Sequence, residues 1–410
     1  MNLFTLDALL FTLFFLILFR FFKPARRHGL MLVAAVLFVF RQDAAHMLLR
    51  PVFIGFTAAI LYAGWAIGRR IESAEETGKK RYLKIGVALL LSPLFVFKLV
   101  QVVLPPHLME TMFPWQAQGG IGMLAPLGIS YFTFRGIAYL IEIRKGAMSP
   151  VGWWHYVHYL LFWPTLMAGP IERPQAFFAQ TAKAIRPTSE DVRVGLTKIF
   201  TGLFKKLIAA EFFYTLVKPY LQLASAPAMH LEKWPVWYLW ICLHAYYLYL
   251  YCDFAGYSDM AIGLARLFGY RIMENFKWPI LATNVADFWR RWHISLTGWI
   301  TDYVYIGLGG NRRGAQIASR NTFIAMLMVG LWHGLTPHFA LWGLYHAFFL
   351  NINRRMQRGR EGASAPQTWP RKIFGWLITF EIINLGWVLF IFSAKKSIMI
   401  YLRLFGLLGG

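Results

Sequence analysis

Long apolar stretches alternate with short polar segments along the whole of this 410-residue chain. A helix that crosses a bilayer needs roughly 20 mostly apolar residues. Stretches of about this length occupy residues 6–22, 51–67, 85–104, 121–143, 234–251, 324–350 and 374–392. The pattern predicts an all-α, polytopic integral membrane protein with about ten to thirteen helices, some of them short or re-entrant. We expect a single transmembrane domain over residues 1–410.

The composition agrees with this pattern. Hydrophobic residues make up 58% of the chain and charged residues only 15%, so a soluble fold would have to expose large apolar patches. The first apolar stretch runs into Arg20 without a small-residue cleavage site, which indicates a retained anchor. Cys242 and Cys252 lie in membrane-type sequence, where they suit neither a disulfide framework nor a zinc site and are expected to pack as apolar residues.

Basic residues are concentrated in a few polar segments, and the formal net charge is +23. Residues 20–27, 69–84 and 354–372 contain an excess of Lys and Arg, whereas residues 105–120 contain neither. The positive-inside bias therefore predicts that the three basic segments are cytoplasmic and that 105–120 and the amino terminus lie outside the cell membrane. Two interpretations of the basic face stay open: it only sets the topology, or it also docks an acidic protein or a phosphate-bearing group.

A histidine, His333, lies in the apolar stretch 324–350, within the short segment Gly330 to Gly334. A titratable side chain at bilayer depth is a functional hypothesis by default, and imidazole exchanges protons near neutral pH. His333 could therefore be a base, a metal ligand or a satisfied polar group. The ligand interpretation is disfavoured because Pro337 interrupts the helix before His338. We expect no metal site.

A second histidine follows a predicted helix start. Asn284 is a good N-cap residue and Asp287 follows three positions later. If the helix continues, it presents two adjacent faces, one with Phe288, Trp292, Ser295 and Trp299 and the other with Trp289, Arg290, His293 and Thr297. Mixed aromatic and arginine residues are typical of interfacial helices, but His293 is poorly explained in this way.

Polar residues also lie in the apolar segment 251–259. Asp253 and Tyr257 are one helical turn apart, with Ser258 beside them, and Gly256 permits a close helix approach. They line a polar path, or they are structural hydrogen-bonding groups; the spacing favours neither.

The sequence lacks a Walker glycine loop, an HExxH motif, a Gly-x-Ser-x-Gly elbow and a basic nucleic-acid-binding domain. The titratable residues that the sequence does contain are compatible with acyl transfer from an activated thioester. This reaction needs little more than a base and an acceptor hydroxyl aligned with the thioester.

Five blocks, in this order, resemble the membrane-bound O-acyltransferase family: 126–135, 169–173, 253–258, 287–296 and 330–334. Within the family, residues 130–135, 169–173 and 332–353 resemble the members that act in lipoteichoic acid D-alanylation. Residues 305–312 look more like the alginate and cellulose O-acetylation members. The resemblance implies a helical ring with a thinned centre and a funnel or tunnel, and a catalytic core at about residues 121–352.

The resemblance also implies roles for individual residues. The position that matches His333 is the catalytic histidine of the family, and His293 matches a second characteristic polar position. We therefore expect His333 to act as general base, with His293 positioning the donor or supplying a proton-relay or oxyanion contact. Residues expected to bind substrate or line the tunnel are Trp292, Ser295, Asp253, Tyr257, Ser258, Trp332 and Ser130.

The resemblance further implies the substrates and partners. A thioester donor reaches the cytoplasmic side, either as an acyl group on the phosphopantetheine arm of an acidic carrier protein or as acyl-CoA, and no cofactor is bound permanently. The acceptor hydroxyl belongs to an extracytoplasmic polymer or to an accessory acyltransferase protein. The acyl group is D-alanyl or acetyl. A transporter or flippase and an interaction scaffold are the rival hypotheses, although no internal repeat with paired broken helices supports transport.

Overall fold

The computed structural model describes residues 6–42, 50–103, 128–183, 186–226, 229–358 and 368–407. The all-α prediction is confirmed for these ranges, which contain helices and no strand. Their sixteen α-helices are α1 (Leu6–Phe21), α2 (Arg27–Gln42), α3 (Arg50–Ser73), α4 (Glu76–Val103), α5 (Ile129–Arg144), α6 (Trp153–Leu160), α7 (Pro174–Thr181), α8 (Ser189–Leu203), α9 (Ala210–Ser225), α10 (Val236–Leu267), α11 (Val285–Arg291), α12 (Ile294–Ile300), α13 (Ala315–His333), α14 (Pro337–Arg358), α15 (Trp369–Ile391) and α16 (Ala394–Leu404).

The number of helices exceeds the expected ten to thirteen because several of them are short. Helices α6, α7, α11 and α12 contain only seven or eight residues each, too few to produce a membrane-length apolar signal. The predicted external segment 105–120 and the beginning of the stretch 121–143 lie outside the described residues.

In the part of the chain that the structure describes, two helices are long and apolar enough to cross a membrane by length and composition: the segment Glu76–Val100 of α4, and α15. Shorter apolar helical segments are Leu10–Phe21 and Arg27–Val39. Large apolar side chains remain exposed on these helices, among them Phe14 at 56% and Phe374 at 64%. Such surfaces are expected to face lipid. The multi-pass arrangement and the ring with a thinned centre stay predictions.

The chain divides into two compact units. The first comprises Met1–Phe200 and Ser258–Met273, and the second comprises Thr201–Tyr257 and Glu274–Gly410. Helix α10 contributes to both units. The expectation of one transmembrane domain over the whole chain stays a prediction.

A buried arginine organises part of the first unit. Arg135 of α5 is only 1% exposed, and its guanidinium donates hydrogen bonds to the carbonyls of Tyr159, Leu160 and Thr165 at 3.1 to 3.2 Å. These carbonyls lie at the end of α6 and just beyond it, where helical partners are missing. Arg135 therefore fixes the chain that leaves α6 against α5.

In the second unit, the apolar stretch 324–350 is not one span. Helix α13 ends at His333, Gly334 is extended, and Pro337 begins α14, as expected for a residue that lacks a backbone N–H. The two helices form an antiparallel hairpin. A Cβ atom on Gly330 would collide with the carbonyl oxygen of Phe339, and one on Gly343 would collide with that of Met326. The apolar stretch 324–350 is therefore two packed helices, and its interpretation as one spanning helix is wrong.

Candidate active site

The helix predicted to continue from Asn284 through Trp299 is broken at His293. The predicted start is confirmed, because Asn284 Oδ1 accepts a hydrogen bond from the Asp287 backbone N at 2.9 Å. Helix α11 nevertheless ends at Arg291, and His293 adopts a left-handed conformation with φ 45° before α12 begins. Such a φ is rare for a residue other than glycine and is concentrated at functional sites. Among the non-glycine residues that the structure describes, only Trp278 also has a positive φ.

The break is held by Asn275, which the sequence analysis did not identify. Its backbone carbonyl accepts from the Ile294 N–H at 2.9 Å. Its side-chain oxygen accepts from the backbone N–H of Ser295 at 3.3 Å and from the Ser295 hydroxyl at 2.9 Å. Asn275 thus replaces helical partners for the first residues of α12. Nothing in the sequence spacing between positions 275 and 293 indicates this contact.

Asn275 also fixes the tautomer of His293. The imidazole Nδ1 lies 3.1 Å from Asn275 Oδ1. The Ser295 backbone N–H can only donate, so the Asn275 atom at this position is the amide oxygen, and Nδ1 must carry the proton. In the neutral imidazole, Nε2 then holds the lone pair.

The Nε2 atom of His293 is a buried acceptor. His293 is 4% exposed, and Nε2 has no hydrogen-bond partner among the described residues. The edge of the ring meets Phe254 of α10, with centroids 4.7 Å apart. A buried polar atom without a partner costs about 1–3 kcal/mol. The fold therefore retains an unsatisfied basic nitrogen at a strained position.

His333 lies at the carboxyl end of α13, where the hairpin turns. The residue is half-buried, and its imidazole lies among the rings of Phe339, Trp342 and Phe390, with centroids at 6.0, 5.4 and 4.9 Å. The apolar walls and the turn leave the ring oriented by contacts from α14 and α15. His333 thus lies among aromatic side chains, and its role as general base stays a prediction.

The two histidines contact the same indole. The Trp332 ring lies 4.6 Å from the His333 centroid and 6.1 Å from the His293 centroid. Two residues that are 40 positions apart in the sequence are therefore brought to one aromatic side chain within the second unit. The sequence indicates both histidines as candidates, but it does not show that their rings lie beside the same indole.

The other expected site residues of the second unit have different surroundings. Trp292 is buried and stacks on Phe288 at 5.5 Å, with an interplanar angle of 19°. Ser295 is fully buried on Asn275. Asp253 forms an ion pair with Lys206, in the π-helical turn Phe204–Ala209, which favours the structural interpretation of this carboxylate.

Tyr257 is 8% exposed on α10 and belongs to the second unit. Ser258, the next residue, is 2% exposed and belongs to the first unit, as does Ser130 at the start of α5. A role for these three residues at the histidines stays a prediction. In the described residues, no three His, Cys, Asp or Glu side chains are grouped to hold a metal ion.

His346 is a further buried histidine to which the sequence analysis gave no role. It is fully buried in α14, and neither ring nitrogen has a partner among the described residues. Its ring meets Trp289 at 5.1 Å and Trp342 at 4.9 Å. Because Trp342 also contacts His333, His346 lies in the next layer behind the candidate base.

The geometry and the sequence together define the class of protein. The family model for membrane-bound O-acyltransferases matches residues 129–402, which include both histidines and the indole between them. The chain belongs to the membrane-bound O-acyltransferase family, whose members are integral to membranes, and it is an acyltransferase.

Relatives within the family carry different acyl groups in their names. A probable alginate O-acetylase from Pseudomonas putida is 32% identical over 93% of this chain and 74% of its own length. A peptidoglycan O-acetyltransferase from Helicobacter pylori is 34% identical over 65% of this chain and 54% of its own length. A teichoic acid D-alanyltransferase from Bacillus subtilis is 30% identical over 67% of this chain and 70% of its own length. The predicted resemblance to both O-acetylation and D-alanylation members is confirmed.

Proposed function

We propose that this chain transfers an acetyl or D-alanyl group from a cytoplasmic thioester to a hydroxyl of an extracytoplasmic cell-envelope polymer or of an intermediate protein. The donor is an acyl group on the phosphopantetheine arm of an acidic carrier protein, or acyl-CoA. The observation that carries the proposal is the shared contact of His293 and His333 with Trp332, in a chain that belongs to a family of acyltransferases.

In the proposed reaction, His333 acts as general base. Its imidazole removes the proton of the acceptor hydroxyl while the oxygen attacks the thioester carbonyl carbon. The C–S bond then breaks, and the leaving thiolate takes the proton from the imidazolium, so the products are an ester and a free thiol. A positioned base of this kind accounts for about 10² to 10⁴ in rate. His333 is half-buried and not sealed in the core, which is compatible with contact between its ring and a substrate.

The tautomer of His293 limits the contacts that its ring can make with a substrate. With Nδ1–H donated to Asn275, the neutral ring offers only an acceptor at Nε2. This favours a contact with an N–H or O–H of a substrate over stabilisation of an oxyanion, which would require a donor. We therefore assign His293 to positioning the donor arm, whose amides supply N–H groups, or to relaying a proton.

The acyl group is the point at which the relatives differ. The match with the probable alginate O-acetylase spans 93% of this chain, which favours O-acetylation of an extracytoplasmic polysaccharide as the more specific form of the proposal. D-alanyl transfer is supported by the match with the teichoic acid D-alanyltransferase, which spans 67%. Incubating the purified chain with acetyl and D-alanyl donors in parallel distinguishes the two.

The test uses the full chain in proteoliposomes, with a radiolabelled thioester inside and an acceptor polysaccharide outside. His333→Ala is expected to lower the rate of ester formation by about 10² to 10⁴. His338→Ala is the matched control, because His338 follows the same turn and, among the described residues, its ring hydrogen-bonds only to the Thr336 hydroxyl. Normal gel-filtration profiles and unfolding temperatures establish that both variants are folded.

Ester formation by folded His333→Ala at a rate close to that of the wild type would exclude the general-base role. Movement of the labelled acyl group across the membrane without ester formation would instead support a transporter. Binding of a carrier protein without any acylated product would support an interaction scaffold.

A further inference from the structure

A cavity opens at the end of the α13–α14 hairpin that is opposite to His333. Its volume is about 260 Å³. The first two turns of α13 and the last turns of α14 supply its lining residues, which are Ala315, Gln316, Ser319, Asn351, Arg354 and Arg355. All of them belong to the second unit. None of them has a part in the proposed proton transfer.

The lining is suited to an anion. Two guanidinium groups, two amides and one hydroxyl face the cavity, and no carboxylate lines it. Neither Arg354 nor Arg355 forms an ion pair with a carboxylate of the described residues. Guanidinium is the side-chain group whose planar N–H pairs match the oxygens of a phosphate.

Arg354 is held in place before any ligand arrives. Its guanidinium donates to the Thr322 hydroxyl at 2.8 Å and to Asn351 Oδ1 at 3.4 Å, and it lies over the ring of Tyr305 at 5.7 Å. These contacts leave other N–H groups of the Arg354 guanidinium for a ligand. Arg355 is exposed, so it can move toward an anion. One cation is therefore fixed and the other is adjustable.

The amino end of α13 adds to the same field. Gly314 gives no side-chain cap, and the first turn contains no acidic residue. The backbone N–H groups of this turn therefore keep their partial positive charge. This partial charge adds to the charge of the two arginines, which remain the main ligands of an anion.

One helix connects the cavity to the candidate base. Ser319 and His333 are fourteen positions apart on α13, which corresponds to a rise of roughly 21 Å along the helix axis. An extended phosphopantetheine arm, with a phosphate at one end and the thioester sulfur at the other, has a comparable length. A phosphate in the cavity would thus let the thioester reach the level of His333.

We propose that this cavity binds the phosphate of the acyl donor's phosphopantetheine arm, with Arg354 and Arg355 as its ligands. The inference rests on the proposed function, since it concerns the donor of that reaction. The phosphate can belong to the arm of a carrier protein or to coenzyme A, because both contain the same phosphorylated arm. The predicted cytoplasmic location of the basic segment 354–372 puts the cavity on the donor side.

The test compares two donors that differ only in this phosphate: acyl-phosphopantetheine and acyl-pantetheine. For the wild-type chain, we expect kcat/KM to be higher with the phosphorylated donor. In Arg354→Gln/Arg355→Gln, kcat/KM for the phosphorylated donor should fall roughly 10- to 100-fold, while that for acyl-pantetheine stays within about twofold. The single variant Arg355→Gln should give a smaller loss of the same selectivity, and it should keep its fold because the side chain of Arg355 is exposed.

Arg320→Gln is the matched control, because Arg320 is exposed on α13 directly after Ser319 and does not line the cavity. It should leave the preference for the phosphorylated donor unchanged. Repeating the comparison with acyl-CoA and with acylated carrier protein identifies which source of the phosphate is preferred.

Equal losses for both donors in Arg355→Gln would overturn the proposal, as would an unchanged preference in the double variant. A change confined to vesicles with anionic lipid, and equal for both donors, would assign the cavity to a lipid phosphate and would also overturn it. Absence of transfer by the wild type from every donor would instead contradict the proposed function, so the two failures are distinguishable.

Discussion

At the scale of single residues, the candidate site combines a histidine at a helix end with a histidine at a strained turn. His333 ends α13 and contacts aromatic side chains of α14 and α15. His293 has a positive φ and a fixed Nδ1–H. The Trp332 indole touches both. The proton-accepting atom of His293 is thus determined by an asparagine side chain and not by the histidine alone.

Removing that asparagine oxygen is expected to impair catalysis. Asn275→Leu leaves Nδ1 without its acceptor and the start of α12 without its cap, so the imidazole loses both tautomer and orientation. We expect kcat/KM for acyl transfer to fall about 10- to 100-fold, at or below the lower end of the effect of a positioned acid or base. Steady-state kinetics in proteoliposomes measure this.

Asn284→Ala serves as the control for that variant. It removes the N-cap bond of α11 and lowers stability by about 1 kcal/mol, but it leaves the imidazole bonded to Asn275. If Asn275→Leu retained as much activity as Asn284→Ala, the assignment of His293 Nε2 as a positioned acceptor would be wrong.

A carboxylate outside the membrane spans gives a prediction about pH. Asp191, in the first turn of α8, accepts hydrogen bonds from the backbone N and hydroxyl of Thr188 and from Arg266. Burial acts to raise the pKa of Asp191, but these hydrogen bonds and the nearby Arg271 outweigh it and lower the pKa from 3.8 to about 2. The folded state therefore favours the carboxylate form.

The stabilisation by Asp191 is present above its unfolded pKa of 3.8 and is lost as the pH falls toward about 2. Asp191→Asn should lower the stability by about 2 kcal/mol near neutral pH, and the difference from the wild type should disappear in acid. Apparent unfolding temperatures in detergent, measured between about pH 6 and pH 2, test this. A difference that is independent of pH would show that the charge of Asp191 is not the cause.

At the scale of helices, some boundaries follow from local sequence and others do not. The start of α11 at Asn284 and of α14 at Pro337 could be predicted, because a capping side chain and a proline act on their own neighbours. The end of α11 before His293 could not be predicted. It depends on Asn275, which is 18 positions away and comes into contact only through the tertiary fold.

The α13–α14 hairpin depends on glycines where the two helices touch. A Cβ atom on Gly343 would collide with the carbonyl oxygen of Met326, and a backbone atom cannot move away as a flexible side chain can. Gly343→Ala should therefore separate the helices, lower the stability by about 1–3 kcal/mol and reduce transfer by displacing His333. Unfolding temperature and kcat are the measurements.

Gly55→Ala is the matched substitution for that test. Gly55 lies in α3 with no atom of the described residues within 4 Å of its would-be Cβ, so alanine should be neutral or stabilising by a few tenths of a kcal/mol to about 1. Equal unfolding temperatures for the two variants would show that close packing at Gly343 does not hold the hairpin.

At the scale of the whole molecule, the sequence predicted the class more reliably than the arrangement. Ordered blocks such as 287–296 and 330–334 were sufficient to indicate the family, which the match over residues 129–402 confirms. Apolar stretches were sufficient for an all-α protein. Their lengths could not reveal that 324–350 folds back on itself, because hydropathy does not change at a turn between two packed apolar helices.

The net charge of +23 leads to a prediction about the donor. A basic cytoplasmic face attracts an acidic carrier protein through its field, and this attraction is screened as the Debye length falls from about 10 Å at 0.1 M salt to about 3 Å at 1 M. Raising the salt over this range should lower kcat/KM for an acylated carrier protein about tenfold or more. For acyl-pantetheine, which carries no phosphate and has no acidic protein attached, kcat/KM should change little.

Proteoliposomes of neutral lipid, at constant osmolarity, keep the membrane's own charge out of the comparison. A parallel decline for both donors would mean that salt acts on the enzyme or the acceptor, and the basic face would then have only its topological role.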